Sequence, residues 1–359
     1  TSPSAPQPDR THLTVHGRLP STNLQGPMTD TATQAPRKVQ LPAVDRYINI
    51  IGPLSLIALL AIAMAIFQPR FFAFNNLMII LQDAAIYMVL GMAMTLVITG
   101  KGIDLSIGAV AALAAICMGM LIKDYGWGPY PAMAAALLVG LTCGVLNGLV
   151  ITRLNVPDLL ATLAMDLVYR GIGLVLAAGA VLARFPEPIP FLGRGRVFDA
   201  IPTAAIIGLV ALLIGFFIYH RTKLGRYAAA IGGNKEAAML TGININRHKV
   251  MHYALMGFCA ALAGILLAGR LNAIQATAAQ GFALHTIAAV VVGGTVLFGG
   301  RGTMFGTLVG VILLSMVTNA LVLLRFQFFW QLVAAGLIII ISIAFYTWLQ
   351  RRTGETQDD

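Results

Sequence analysis

Charge is scarce in this chain: Asp, Glu, Lys and Arg together fill 11% of its 359 positions. Soluble proteins devote about a quarter of their residues to those four types, so a wholly water-facing surface is excluded. Cysteine is rarer still. Cys117, Cys143 and Cys259 each sit inside an apolar segment, without the paired spacing of a disulfide or zinc site, and they read as small packing residues. No triad, metal cluster or acid pair at catalytic spacing is present, which leaves no legible enzyme site. A phosphate-binding loop is missing as well. That loop needs Gly-x-x-x-x-Gly-Lys-Ser/Thr, whereas the run ending in Gly100-Lys101 has Thr95 at the first glycine position and Gly102 after the lysine. Gly293-Gly294 and Gly299-Gly300 lack the lysine altogether.

Apolar sequence is what the chain has in abundance, at 58% of all residues and a mean hydropathy of +0.82. No single soluble core could hide that much apolar surface, so lipid is the natural solvent. A helix needs about 20 mostly apolar residues to cross the hydrocarbon layer. Such windows recur from Ile48 to Trp348, and cutting at polar, Gly or Pro punctuation predicts an all-α integral membrane protein with about ten spans. Their limits are 48–67, 77–99, 105–122, 131–151, 156–180, 201–219, 250–269, 282–300, 303–323 and 328–348. Residues 1–45, rich in Pro, Thr, Ser and Gln, read as a disordered cytosolic tail without a signal peptide, and Met28 marks a candidate translation start. Residues 46–350 form the membrane domain and residues 351–359 a second cytosolic tail.

The formal charge of +10 raises nucleic acid as a partner, but the basic residues form short clusters between apolar windows, without aromatic interleaving or a stripe. That is how loops at a membrane surface are built. With the N-terminus inside, Arg70, Lys123, Arg184, Arg194, Arg196, Arg270 and Arg325 fall outside and Arg170 within a span. The other sixteen of the 24 Lys and Arg residues then lie inside, so the expected orientation is N-in and C-in.

Two spans carry glycine stripes, Gly140/Gly144/Gly148 in the fourth and Gly302/Gly306/Gly310 in the ninth. Residues four apart share a helix face, and such stripes let backbones approach closely in lipid. Spans five apart run in opposite directions, as an inverted repeat requires, but with only this feature matching, independent packing stripes are the alternative reading of the same residues. Each polar group at membrane depth also carries two readings. Asp83, with Gln82 and Tyr87, suits a translocation wall for a hydroxyl-rich solute, or makes a buried interhelical bond. Asp166 and Arg170, four apart, form an ion pair or meet solute. Asp104 reads as a cap for the third span, His285 as interfacial, and Asn147, Asn272, Gln275, Gln280 and Asn319 as helix-to-helix bonds or ligands.

The most basic loop, His220 to Lys249, holds Arg221, Lys223, Arg226, Lys235, Arg247 and Lys249 against the single acid Glu236. Within it, Asn234-Lys235-Glu236-Ala237-Ala238-Met239-Leu240-Thr241-Gly242 reads as a complete short helix: Asn234 caps it, Glu236 faces the positive dipole end and Gly242 supplies a left-handed stop. It is too short to span a membrane and suits the groove of a cytosolic partner, or is an ordinary surface helix. The wording Glu-Ala-Ala-x-x-x-Gly resembles the coupling motif of ABC importer permeases, without the Ile-x-Leu-Pro ending. A wider resemblance runs from Ile48 to Trp348. Gly102-Ile103-Asp104-Leu105-Ser106-Ile107-Gly108 is similar to the Gly-Ile-Asp-Leu-Ser-Val-Gly signature of the ribose/xylose/arabinose permease family. Leu224-Gly225-Arg226 with Ala230-Ile231-Gly232-Gly233-Asn234 resembles that family's coupling region, and Ile287 to Thr295 with Gly299-Gly300 its late Gly-rich span. The chain departs from the family's frequent acids at Ala283 and His285, and from a small or apolar residue at Asp158.

The resemblance implies a permease subunit of a bacterial importer, in the cytoplasmic membrane, moving a sugar-like solute. It implies a second permease chain, a cytosolic ABC ATPase docked on Asn234 to Gly242 and Arg226, and an external sugar-binding protein. ATP and magnesium would sit in the ATPase, with no cofactor in this chain. Without a phosphate-binding loop, energy comes from that partner or from an ion gradient. The competing readings are a secondary transporter coupled through Asp83, Asp158 or Asp166, and a membrane scaffold without transport.

Overall fold

The computed structural model describes residues 44–327 together with 330, 333, 336, 337 and 340, all five of the latter helical. The expected N-terminal tail up to residue 43, the C-terminal tail and most of the tenth span lie outside the described residues, and the last two residues of the tail expected at 1–45 belong to the first helix. Five helices come first: α1 Val44–Phe67, α2 Phe74–Thr99, α3 Ile107–Lys123, α4 Pro129–Arg153 and α5 Asp158–Leu176. After the short α6 Ile189–Arg194 come α7 Thr203–Arg221, α8 Lys223–Gly233, α9 Lys235–Leu240, α10 Ile245–Leu271, α11 Phe282–Val292 and α12 Met304–Leu323. Among the described residues, α2, α4, α5, α7, α10 and α12 are long and apolar enough to cross a membrane. The described apolar stretch of α1, α3 and α11 are shorter. These nine helices fall on the first nine predicted spans.

Local chemistry sets their ends. Pro129 opens α4, where its fixed φ suits the first turn and its missing N–H costs nothing. Asn244 Oδ1 accepts from Arg247 N at 3.0 Å to cap α10, and Thr303 Oγ1 accepts from Gly306 N at 3.1 Å to cap α12. Two spans end sooner than expected. α5 stops at Leu176, before Ala178 and Gly179 turn left-handed. α11 stops at Val292 rather than near residue 300: Gly294, at φ +89°, ends it while Thr295 N donates back to Val290 O.

The loop expected between α5 and α7 is more structured than its sequence suggests. It holds α6 and the antiparallel ladder of β2 Arg196–Val197 with β3 Ile201–Pro202, and its β1 Leu182–Ala183 pairs antiparallel with β4 Ala273–Ile274, which follows α10. The fold is therefore helical with these two small strand pairs rather than strictly all-α.

α2 and α10 form the centre and pack on one another. α10 also packs on α3 and α4, and α2 on α11, α12 and α7. The glycine stripe of α4 lies along α10, where a Cβ on Gly140, Gly144 or Gly148 would strike Gly257 and Ala261, Tyr253 and Ala254, or Val250. That of α12 reaches only through Gly306 and Gly310, which abut Gly293 and Ala289. Gly302 precedes α12 and is not part of its face, so the sequence reading of a three-glycine stripe there is corrected. By contrast, Leu160, Leu163, Leu167 and Val175 of α5 and Leu213 and Phe217 of α7 are exposed. Exposed Leu and Phe on long apolar helices form the lipid-facing surface.

Candidate functional site

At one end of the bundle, α8 and α9 lie beyond the ends of α2 and α7. Thr222 Oγ1 caps α8 by accepting from Leu224 N, and Asn234 Oδ1 caps α9 by accepting from Ala237 N at 2.9 Å. Gly242, at φ +81°, closes α9: its N–H donates to Met239 O and that of Ile243 to Ala238 O, the paired bonds of a left-handed helix stop. The expected helix is present with its expected caps. Ala238 is buried with Ile231 and Ile245, which seats α9 on α8 and α10. Lys235, Glu236, Ala237 and Arg226 are exposed. Met239 and Leu240 are also exposed, Leu240 at 90%. A cleft of about 430 Å³ between the ends of α4 and α10 is lined by Arg153, Arg247, Asn244 and Asn246 together with Leu149, Val250 and Met251, so it mixes basic and amide groups with apolar ones.

The run Gly100 to Ser106 turns inward between α2 and α3 and gathers a hydrogen-bonded chain. Tyr169 of α5 has its hydroxyl 3.0 Å from Asn147 Oδ1, Asn147 Nδ2 donates to Ser106 Oγ at 2.8 Å, and Ser106 Oγ donates to Asp104 Oδ1 at 2.7 Å. Asp104 also accepts from Ser106 N. It anchors the turn before α3 instead of capping the helix, as read from sequence, because Ser106 occupies the cap position. Burial pushes its carboxyl up to about 6, against the lowering pull of the Ser106 and Asn147 donors. Next to this run, Asp158 at the start of α5 accepts from Lys249 Nζ at 2.6 and 2.7 Å and from the Tyr253 hydroxyl at 2.8 Å. A Cβ on Gly102 would lie 2.8 Å from Asp158 Oδ2 and 2.9 Å from that hydroxyl, so only glycine lets the turn rest on the cluster.

Toward the opposite end, Gln82 and Asp83 are engaged. Asp83 pairs with Arg270 in the last turn of α10, and Gln82 Nε2 donates to Gly193 O at 2.8 Å. One turn along α2, Tyr87 stacks on His285 with ring centroids 5.7 Å apart and meets the edge of Phe282 at 5.5 Å. Asp166 and Arg170 pair at 3.0 Å as their spacing predicts, and Arg170 Nη1 also donates to Ala276 O at 3.1 Å, tethering the turn before α11. Asn319 is spent on a reciprocal amide pair with Asn76 at 2.9 and 3.0 Å, both buried, and does not join Gln82, Asp83 and Tyr87. Sequence reasoning missed Arg270, Lys249, Tyr253 and the stacking of His285. No spacing rule connects them to their partners, which lie on other helices.

Long apolar helices wrapped around a polar-studded central pair, with a capped basic helix pair at one end, define a multi-pass membrane transport subunit. Residues 76–343 match the family described as the permease component of the branched-chain amino acid transport system, and the chain belongs to that family. It is similar to the ribose import permease protein of Escherichia coli (strain K12), 38% identical over 299 residues that cover 80% of this chain and 91% of the relative. The ribose import permease protein of Bacillus subtilis (strain 168) is 39% identical over 302 residues, covering 83% and 93%. The fructose import permease protein of Rhizobium meliloti is 34% identical over 307 residues, covering 83% and 85%. No solved structure matches the chain. As a member of this family, the chain is a multi-pass protein of the bacterial inner membrane and a transport subunit rather than an enzyme.

Proposed function

We propose that the chain is the permease of an ATP-driven importer that moves a monosaccharide or sugar-like solute across the cytoplasmic membrane by alternating access. The observation that carries this reading is α9, a capped helix outside the bundle whose Met239 and Leu240 are exposed beside Lys235 and Glu236. Exposed apolar side chains on a helix face fit a partner's groove, and the partner is a cytosolic ABC ATPase that binds ATP and magnesium. Arg226 and Asn234 to Gly242 form the contact. The ribose and fructose named for its relatives support a sugar as solute. A second permease chain and an external sugar-binding protein complete the importer.

In this reading ten spans run N-in and C-in through residues 46–350, between cytosolic tails at 1–45 and 351–359, and the segment 220–249 is cytosolic. The packing of α2 on α12 and α11, matched by that of α10 on α4 and α3, supports an inverted repeat. Gln82, Asp83 and Tyr87, joined by His285, line the route from the outer side: stacked rings suit the flat face of a sugar, and the polar pair suits its hydroxyls. Ion coupling through Asp83, Asp158 or Asp166 is disfavoured, because each is paired with a cation that would first have to be displaced.

The test is reconstitution with the ATPase subunit. Gly242→Pro removes the N–H that closes α9 and demands a φ that proline cannot take. Glu236→Lys reverses the charge at the dipole's positive end. Both should insert normally yet retain the ATPase poorly on an affinity column or hydrolyse ATP without uptake of labelled D-ribose. Wild-type retention and uptake in both would remove the coupling role.

A further inference from the structure

α8 ends on main chain. A Cβ added to Gly232 would overlap the carbonyl oxygen of Thr99, the last residue of α2, and the amide nitrogen of Gly300. The same carbonyl accepts the Gly300 N–H at 2.9 Å. A Cβ on Gly299 would lie 3.1 Å from Gly232 Cα and 3.0 Å from Lys101 Cβ, and one on Gly300 would lie 3.2 Å from Gly233 Cα. A Cβ on Gly302 would overlap Thr99 Oγ1, and the Gly302 N–H donates to the Tyr219 hydroxyl of α7 at 3.0 Å. The last turn of α8, the last turn of α2 and the turn 293–303 between α11 and α12 therefore meet through backbone atoms.

Side chains between two elements absorb a displacement by changing rotamer. Backbone in van der Waals contact cannot, so it passes the displacement on. We propose that Gly232, Thr99 and Gly300 are the joint through which movement of α8 and α9 reaches the transport core, with Gly232 a positioning residue for transport. The elements joined are the ones that matter at the far end: α2 carries Asp83 and Tyr87, and α11, which the turn 293–303 follows, carries Phe282 and His285. One push at the joint acts on both sides of that stacked pair. The inference rests on the reading of α9 as the coupling helix.

Neighbouring glycines supply the control. A Cβ on Gly233 meets nothing within 4 Å, and this residue is exposed, unlike Gly232. The reporter is a cysteine at exposed Gln280, just before α11, in a chain whose three native cysteines are replaced, reconstituted with the ATPase subunit. In the parent, ATP should change the labelling rate of this cysteine several-fold. Gly232→Ala should retain the ATPase and hydrolyse ATP while that change is lost, and Gly233→Ala should keep it. A second pair tests the same joint independently of how Gly232→Ala assembles: Gly302→Ala should lose the ATP response, and Thr99→Ala in the same chain should restore it by removing the obstructing Oγ1. The proposal is overturned if the parent shows no ATP response, if Gly232→Ala responds like Gly233→Ala, or if Thr99→Ala fails to rescue Gly302→Ala. The coupling reading fails separately, through a Glu236→Lys chain that retains its ATPase and its ATP response.

Discussion

Asp158 and Lys249 are both largely buried, at 15% and 18% side-chain exposure, and the Tyr253 hydroxyl shares the carboxylate. Removing one member of such a pair leaves the other charge without compensation, at a cost of about 3 kcal/mol or more. Asp158→Ala should lower stability by that order in a detergent unfolding series, whereas Asp158→Leu combined with Lys249→Met should recover most of the loss. A double-mutant cycle with a coupling energy below about 0.5 kcal/mol would show the pair to be incidental. Asp104 makes a pH-dependent case. Its carboxyl, raised by burial from 3.8 to about 6, binds its proton more tightly when folded than when unfolded. Its ionisation therefore opposes folding, an opposition absent below about pH 4 and complete above about pH 6. Asp104→Asn keeps an acceptor for Ser106 and removes the charge, so its stability relative to the parent should rise between about pH 4 and pH 6 and level off above, by at most about 3 kcal/mol. A parallel pH dependence in both proteins would contradict this. Neither residue's surroundings were legible beforehand. Asp104 read as a cap because it stands just before an apolar run, but Ser106 takes the cap position and Asn147 arrives from α4.

Elements followed the sequence more closely than residues did. Hydrophobic length alone located nine helices, and for α9 the Asn cap, first-turn acid and terminal glycine all act as local chemistry dictates. Those signals lie within a few residues of what they control, so no distant partner can overrule them. The glycine stripes show the limit of such reasoning. Both marked close helix contact, but α4 spends its stripe on α10 and α12 on the end of α11. Leucine at Gly144 must push against Tyr253 O and the Ala254 backbone, and at Gly306 against Gly293 O. Overpacking a core costs about 1–3 kcal/mol where side chains can yield, and here backbone cannot. Gly144→Leu and Gly306→Leu should therefore give little folded protein by size-exclusion chromatography, while Gly171→Leu, whose added Cβ meets nothing within 4 Å, should fold normally. Equal yields from all three would contradict the contacts described.

For the whole molecule, the proposed orientation turns on the basic segment 220–249. A cysteine at exposed Lys235, in an otherwise cysteine-free chain, should resist an impermeant thiol reagent in intact cells and react in inverted vesicles. Labelling in intact cells would reverse the map. The sequence by itself determined the solvent, the long apolar helices, the capped helix α9 and the kinship with sugar permeases, because composition, apolar length, cap chemistry and signature runs are read one segment at a time; α8 came from the structure. Only the tertiary structure decided which groups meet. It joined Asp83 to Arg270, Asp158 to Lys249, Tyr87 to His285 and Gly232 to Thr99 and Gly300. These partners are far apart in the chain and come together only when α2 and α10 pack as the centre of the bundle. In lipid, close backbone approach and satisfied polar groups hold helices together, and those conditions belong to pairs of helices rather than to any one stretch of sequence.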